Sequence, residues 1–397
     1  MGQHYRVVII GGGTAGISTA ARLLKEVKSL SGEIAVIDPA DRHYYQPLWT
    51  LVGGGAAKKE DTVRNMDQLI PAGATWIKEP AVSFYPEEDV IQLANGSKVS
   101  YEYLVVAAGI EIDWNGIKGL KESIGKNGVC SNYAYDYTDY TWEAIRRFQG
   151  GNAVFTHPAT PIKCGGAPQK IAYLAEDYFT QTGIRHKTNV IFASANPAIF
   201  DVAKYRKALE KVLERKKIDA RFLMNLKEIR PEKNEAVFEH VETKEETVIH
   251  YEMLHVTPPM RSPSFIKNSP ISDEAGWVDV HPHTLQHTKY ENIFSLGDCS
   301  NLPTSKTGAA IRKQAPVVTE NIISMMKGGV PAATYDGYTS CPLVTGYNSL
   351  ILAEFNYDKE PVESFPVDQA KERRSMYILK KDILPIMYWN GMLKGTM

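Results

Sequence analysis

At 397 residues the chain is too long for one ordinary hydrophobic core, so at least two domains are expected. Its 43% hydrophobic and 23% charged residues are those of a globular protein and exclude a disordered or fibrous chain. A net charge of -1 leaves no electrostatic footprint for nucleic acid, and no apolar run reaches the ~18 residues of a membrane-crossing helix.

The opening run Tyr5-Arg6-Val7-Val8-Ile9-Ile10 predicts a buried parallel strand, and Ile17 to Leu24 has the apolar spacing of a helix. Between them, Gly11, Gly13 and Gly16 fit G-x-G-x-x-G in its required strand–turn–helix setting. The first glycine turns the chain, the second lets backbone approach a pyrophosphate, and the third packs helix on strand. A second strand, Glu33 to Ile37, ends at Asp38, where a carboxylate accepts hydrogen bonds from an adenosine ribose. Dinucleotide binding follows from this combination.

Arg42 to Trp49 is aromatic, broken by Pro47, and reads as a loop. The triplet Gly53-Gly54-Gly55 offers close backbone approach to a ligand. A strand-rich portion from Thr75 to Val99 leads to a buried strand, Tyr101 to Val106, which ends in Ala107-Ala108-Gly109. Far downstream, Asn292 to Leu296 is another strand, followed by Gly297-Asp298. Such an aspartate suits the ribityl chain of FAD, and a helix beginning near Gly308 aims its positive end at the flavin. The first domain is therefore discontinuous, residues 1–115 with 289–326, and FAD is favoured over NAD.

The inserted region, 116–288, repeats the topology. A linker passes Cys130, Thr141 to Ile145 is helical, and Asn152 to Thr156 is a strand. A helix over Gln169 to Phe179, a strand over Thr188 to Phe192, a helix over Asp201 to Lys217 and a hairpin-like stretch to His255 follow. The second glycine cradle is missing. The turn after Thr156 carries Pro158, Pro161, Cys164 and Pro168 instead, and the turn after Phe192 has no acidic residue for a ribose. NAD(P)H is thus not the expected electron donor.

The four cysteines are too scattered for a disulfide framework, and Cys299 reads as a buried small side chain. Cys164 precedes a helix marked by Pro168 and follows Lys163, so helix dipole and ammonium both favour its thiolate. Cys341 lies in another turn punctuated by proline and glycine. If the two meet, they form a dithiol that can pass electrons to a flavin. Spacing alone leaves that open.

The stretches His43 to Pro47, Pro161 to Cys164, Tyr251 to Met260, Gly276 to Val280, Gly297 to Cys299, Leu302 to Thr307 and Tyr335 to Pro342 make the chain resemble the sulfide:quinone oxidoreductases, most closely their mitochondrial-type branch. The resemblance runs over nearly the whole chain. It implies an α/β protein with two dinucleotide-binding, Rossmann-like domains and a C-terminal membrane-interface region, 327–397. It implies FAD held by Gly11, Gly13, Ala15, Gly16, Asp38, Gln46, Ala108, Gly109, Asp298 and Lys306, with Cys164 and Cys341 as the catalytic pair and no metal. Hydrosulfide then attacks at Cys341, Cys164 leaves as a thiolate facing the flavin, and the persulfide passes to sulfide, a thiol or sulfite. Which cysteine takes the persulfide stays open. Other branches use a third cysteine near Cys130. Here that residue is a relic, a sulfur relay or inert, and inert is favoured.

From Lys371 large apolar and aromatic residues alternate with basic ones, and Pro385 splits the run. This fits interfacial helices with Tyr388 and Trp389 at headgroup depth and cations towards lipid phosphates. The alternative is a helix packed on the body of the protein. A membrane surface and a membrane quinone are the expected partners, and homo-oligomer formation is left open. A first strand without a leader and an end at Met397 suggest a bacterial protein on the cytoplasmic face of its membrane. The competing functions are an NADH:quinone oxidoreductase-like flavoprotein and a protein whose FAD is only structural.

Overall fold

The structure, a computed structural model, describes residues 3–397. Its first sheet has seven strands. Ala74–Ile77, Ile34–Ile37, Gln3–Ile10, Lys98–Val106, Val90–Leu93 and Ala81–Tyr85 lie side by side in that order. The late strand Ile293–Ser295 joins them, parallel to Leu104–Val106. Val7, Val8, Ile9 and Ile10 lie on an interior strand between two parallel neighbours and are buried on both faces, which explains their unbroken apolar run.

The second sheet is wholly parallel. Its strands run in the order Val129–Cys130, Met253–His255, Gly151–His157, Thr188–Ser194 and Asp219–Arg221. Helices Ala167–Gln181 and Ala203–Lys216 are its crossovers, and an antiparallel sheet of Met224–Arg230, Glu235–His240 and Glu246–His250 is appended. Ile266, Ile271, Val278 and Leu285, expected with this second unit, pack into the first core instead.

Three local expectations change. The presumed loop at Arg42 contains a strand, Arg42–Tyr44, paired with Val63–Asn65. The expected linker places Cys130 on a short strand whose carbonyl accepts from the Val256 N–H. Cys341 sits within a strand, Thr339–Gly346, and the turn of that hairpin lies beyond it at Tyr347 and Asn348. Pro342 is tolerated there because a two-stranded ribbon leaves one edge of the strand unpaired.

The C-terminal region turns back onto the first domain. Arg374–Ile378 and Leu384–Asn390 are helical, joined by a π-turn over Leu379–Ile383. Pro385 does not split the run, since it falls in the first turn of the second helix. Met376, Tyr377, Tyr388, Met392 and Leu393 are buried against the first core, while Ile378, Ile383 and Ile386 face outwards, the last 61% exposed. No helix among the described residues is long and apolar enough to cross a membrane.

Candidate active site

The glycine turn behaves as a phosphate cradle must. Gly11 has φ 105°, and a methyl there would stand 2.4 Å from the Ala107 carbonyl oxygen. A methyl on Gly16 would lie 1.9 Å from the Gly11 oxygen, so helix Thr14–Glu26 can approach its strand only with glycine at that position. Gly13 is exposed with open space before it, and the helix N-terminus beside Thr14 and Ala15 has no side-chain cap. Those are the three parts a dinucleotide pyrophosphate requires. Asp38 accepts from the Gly12 N–H at 2.6 Å and the Ala40 N–H at 2.7 Å. Burial raises its pKa, and these two bonds oppose the rise. It therefore braces the glycine turn and keeps one side open to solvent.

The Gly53 to Gly55 triplet serves packing between protein segments. Methyls at Gly54 and Gly55 would strike the side chains of Leu174 and Trp142 at 2.6 and 2.5 Å. The close approach inferred there is to neighbouring helices, which corrects the ligand expectation.

At the carboxyl ends of the first sheet, Ala108 and Gly109 lie beside the glycine turn, and Gly297-Asp298 follows the added strand. Helix Gly308–Met326 is capped by the Thr307 hydroxyl, which accepts from the Ala310 N–H. A methyl on Gly308 would stand 3.9 Å from the Pro47 ring, next to the exposed Gln46. Lys306 donates to the backbone oxygens of Asp298 at 2.7 Å and Ser300 at 3.0 Å, and its ammonium covers the Trp277 ring. Burial pushes the Asp298 carboxyl up, opposed by Lys306 and Lys163. Ala108 and Gly109 thus follow one sheet strand, and Asp298 with its Lys306 follows the neighbouring one.

Cys164 reaches Lys306 through its backbone: its N–H donates to the Lys306 oxygen at 2.8 Å. It holds φ 56°, a left-handed conformation that a residue with a side chain adopts at a cost of roughly 1–3 kcal/mol. Cys164 and Cys341 meet. The β-carbon of Cys341 packs against Gly166 in the loop that follows Cys164, and the two thiols are near enough to set each other's charge. The neighbouring Cys341 thiol and the Lys170 ammonium, 3.2 Å from the Cys164 sulfur, hold Cys164 well below the usual thiol range despite burial. The partner thiolate and burial push the fully enclosed Cys341 upward.

The lysine that acts on Cys164 is therefore not its sequence neighbour. Lys163 lies over the Trp49 ring at 4.9 Å, and burial takes it down to about 8 against the opposing pull of Asp298. A second ammonium comes from the tail. Lys380, 4% exposed, is driven down to about 7 by burial and by Lys170, against the attraction of Cys164. It was expected to face lipid. Two further groups escaped sequence reading, the buried hydroxyls of Tyr133 and Thr257, which have no hydrogen-bond partner in the structure. Tyr133 packs in one apolar cluster with Ile162, Met260 and Cys164. Lys170 is a buried lysine in the second turn of its helix, and nothing local marks it, Lys380 or Tyr133.

The other two cysteines are fully buried, and burial raises both thiols. Cys130 is wholly buried and pushed up to about 12 by burial. Cys299 is equally buried, and its thiol donates to the Val106 oxygen at 3.4 Å.

Comparison with known proteins adds four findings. The family model described as pyridine nucleotide-disulphide oxidoreductase matches residues 5–139. The mitochondrial sulfide:quinone oxidoreductase of Mus musculus is 49% identical over 394 residues, covering 99% of this chain and 87% of that protein. Its counterpart in Dictyostelium discoideum is 48% identical over 392 residues, 98% of this chain and 86% of the relative. The crystal structure of the sulfide:quinone oxidoreductase from Aquifex aeolicus superposes with a TM-score of 0.84 over 99% of this chain and 92% of that one, at 20% identity. That last likeness speaks for the fold.

Proposed function

The chain belongs to the sulfide:quinone oxidoreductase family, and from that premise we propose that Cys164 and Cys341 are its redox pair and FAD its flavin. The enzyme oxidises sulfide and passes the electrons to a quinone. The observation that carries the residue assignment is the contact of the two cysteines beside the Asp298–Lys306 edge, with Lys170 on the Cys164 sulfur.

In the oxidised enzyme, hydrosulfide attacks the Cys341 sulfur of a Cys164–Cys341 disulfide. A new sulfur–sulfur bond forms at Cys341, the old one breaks, and Cys164 leaves as a thiolate carrying the electron pair. Lys170 stabilises that thiolate where it forms. The persulfide on Cys341 passes its outer sulfur to sulfide or a small thiol, which returns Cys341 to a thiol. When bound, FAD would supply the two-electron acceptor that lets the dithiol close again to the disulfide, and the quinone substrate is where those two electrons end. Gly11, Gly13, Ala15, Gly16 and Asp38 would hold the pyrophosphate and ribose of FAD, and Gln46, Ala108, Gly109, Asp298 and Lys306 would hold the rest of it.

No glycine cradle follows the strand Gly151–His157, so NADH has no seat in the second domain. The outward Ile378, Ile383 and Ile386 support peripheral association with a membrane surface. The names of the relatives are mitochondrial, so the bacterial cytoplasmic face expected from the sequence has no support in the comparisons. Anaerobic sulfide should bleach the flavin absorbance of the purified protein, and decylubiquinone should restore it. A flavin that stays oxidised under sulfide, or that NADH bleaches instead, overturns the reading.

A further inference from the structure

The tail does more than present an apolar face. Tyr388 is buried at the mouth of the glycine turn, 374 positions from the residue it bonds. Its hydroxyl lies 2.7 Å from Thr14 Oγ1 and 2.5 Å from His43 Nε2, and His43 Nδ1 lies 2.9 Å from the Gly12 carbonyl oxygen. A carbonyl can only accept, so His43 Nδ1 carries the proton. Burial takes His43 down to about 4, so the ring is neutral and Nε2 is an acceptor. The directions follow: the Thr14 hydroxyl donates to Tyr388, Tyr388 donates to His43, and His43 donates to Gly12.

This chain fixes one peptide plane. In a trans peptide the carbonyl oxygen and the next N–H point in opposite directions. With the Gly12 oxygen held by His43, the Gly13 N–H is turned the other way, and Gly13 is the glycine with open space before it. The rest of the tail supports the contact. Tyr388 packs on Tyr45 with ring centroids 4.4 Å apart, and the Arg64 guanidinium covers Trp389. Arg22, two turns along the same helix as Thr14, donates to the Met397 carbonyl.

We propose that the C-terminal segment completes the dinucleotide cradle, with Tyr388 a positioning residue that acts through His43 on the Gly12–Gly13 peptide and so retains the cofactor. This rests on the reading that FAD occupies that cradle. The segment that presents Ile378, Ile383 and Ile386 outwards is then the same one that closes the cofactor site from outside.

The test measures FAD release from the purified full-length holoprotein at 20 °C, by the rise in free flavin fluorescence after dilution, with circular dichroism to verify an intact fold. Tyr388→Phe keeps the ring packing and removes the hydroxyl, and should speed release about five- to tenfold, the effect of leaving one buried partner unpaired. His43→Phe should release FAD at least as fast, and the double variant no faster than His43→Phe alone, because the two residues act in series. Release at the wild-type rate from Tyr388→Phe, or effects that multiply in the double variant, overturns the proposal. A wild-type protein that yields no FAD on extraction removes the underlying reading instead, and the two failures are told apart before any variant is made.

Discussion

Lys170 Nζ donates a 3.2 Å hydrogen bond to the Cys164 sulfur from the helix that the cysteine's own loop leads into. Both ends of this bond are set by one short stretch of chain. The loop turns through a left-handed Cys164, and the helix then brings Lys170 round to the same side. The thiolate is stabilised by a donor 4% exposed, where competing water is scarce.

Replacing Lys170 with Met should raise the pKa of the Cys164 thiol, because a cation hydrogen-bonded to the charged form is lost. In the reduced protein at pH 7, alkylation of Cys164 by iodoacetamide, followed by mass spectrometry, should slow about tenfold. Lys163→Met should change it far less, since that ammonium lies over Trp49. A larger effect from Lys163 would reassign the activating cation.

Lys380 makes stability depend on pH. Its pKa falls from 10.5 to about 7 on folding, chiefly through burial and next through Lys170. Between those values the unfolded chain binds the proton that the native lysine has given up. Stability therefore rises with pH from about 7 to about 10.5 and is flat with respect to this group below that window. Lys380→Met should remove up to a few kcal/mol of that rise. Urea unfolding under reducing conditions at pH 7 and pH 9 measures it, and an unchanged difference between the two pH values would show that Lys380 keeps its proton in the fold.

Serine at Cys164 or at Cys341 should abolish sulfide-dependent quinone reduction while the flavin stays bound. Serine at Cys130 should leave turnover near wild type, with a stability loss of about 1–2 kcal/mol from a hydroxyl placed where the enclosed thiol stood. Collapse of turnover in that variant would bring a third cysteine into the sulfur chemistry.

The outward isoleucines of the tail can be tested without the chemistry. Ile378→Ser, Ile383→Ser and Ile386→Ser together remove three side chains, each worth about 1.5–3 kcal/mol if fully buried in lipid. Cosedimentation with phosphatidylcholine vesicles should fall at least tenfold. Equal binding by the triple variant would move the membrane contact elsewhere.

The elements of the chain were legible to different degrees. Wherever a local rule governs, as in the glycine turn, the buried strands and the two crossover helices, the residues announce their structure. Arg42 to Tyr44 read as loop because aromatic and proline content outweighed a three-residue strand whose existence depends on its partner Val63–Asn65. Cys341 read as a turn because Pro342 follows it, although the register with Ala353 holds it extended. Tyr388 and Lys380 read as lipid-facing because alternation in an amphipathic run does not say which apolar stripe meets protein. A π-turn at Leu379–Ile383 shifts the faces of the helix that follows.

The sequence by itself determined that Gly11, Gly13 and Gly16 form a tight glycine turn between strand and helix and that no second such turn follows Gly151–His157. Those are questions of backbone space within a few residues, and glycine or its absence answers them. Only the tertiary structure decided that Cys164 meets Cys341, that Lys170 and not Lys163 stands on the sulfur, and that Tyr388 reaches back to Thr14. Each of these joins atoms through packing between separate elements, where burial and hydrogen-bond geometry choose the partner and nearness in the chain does not.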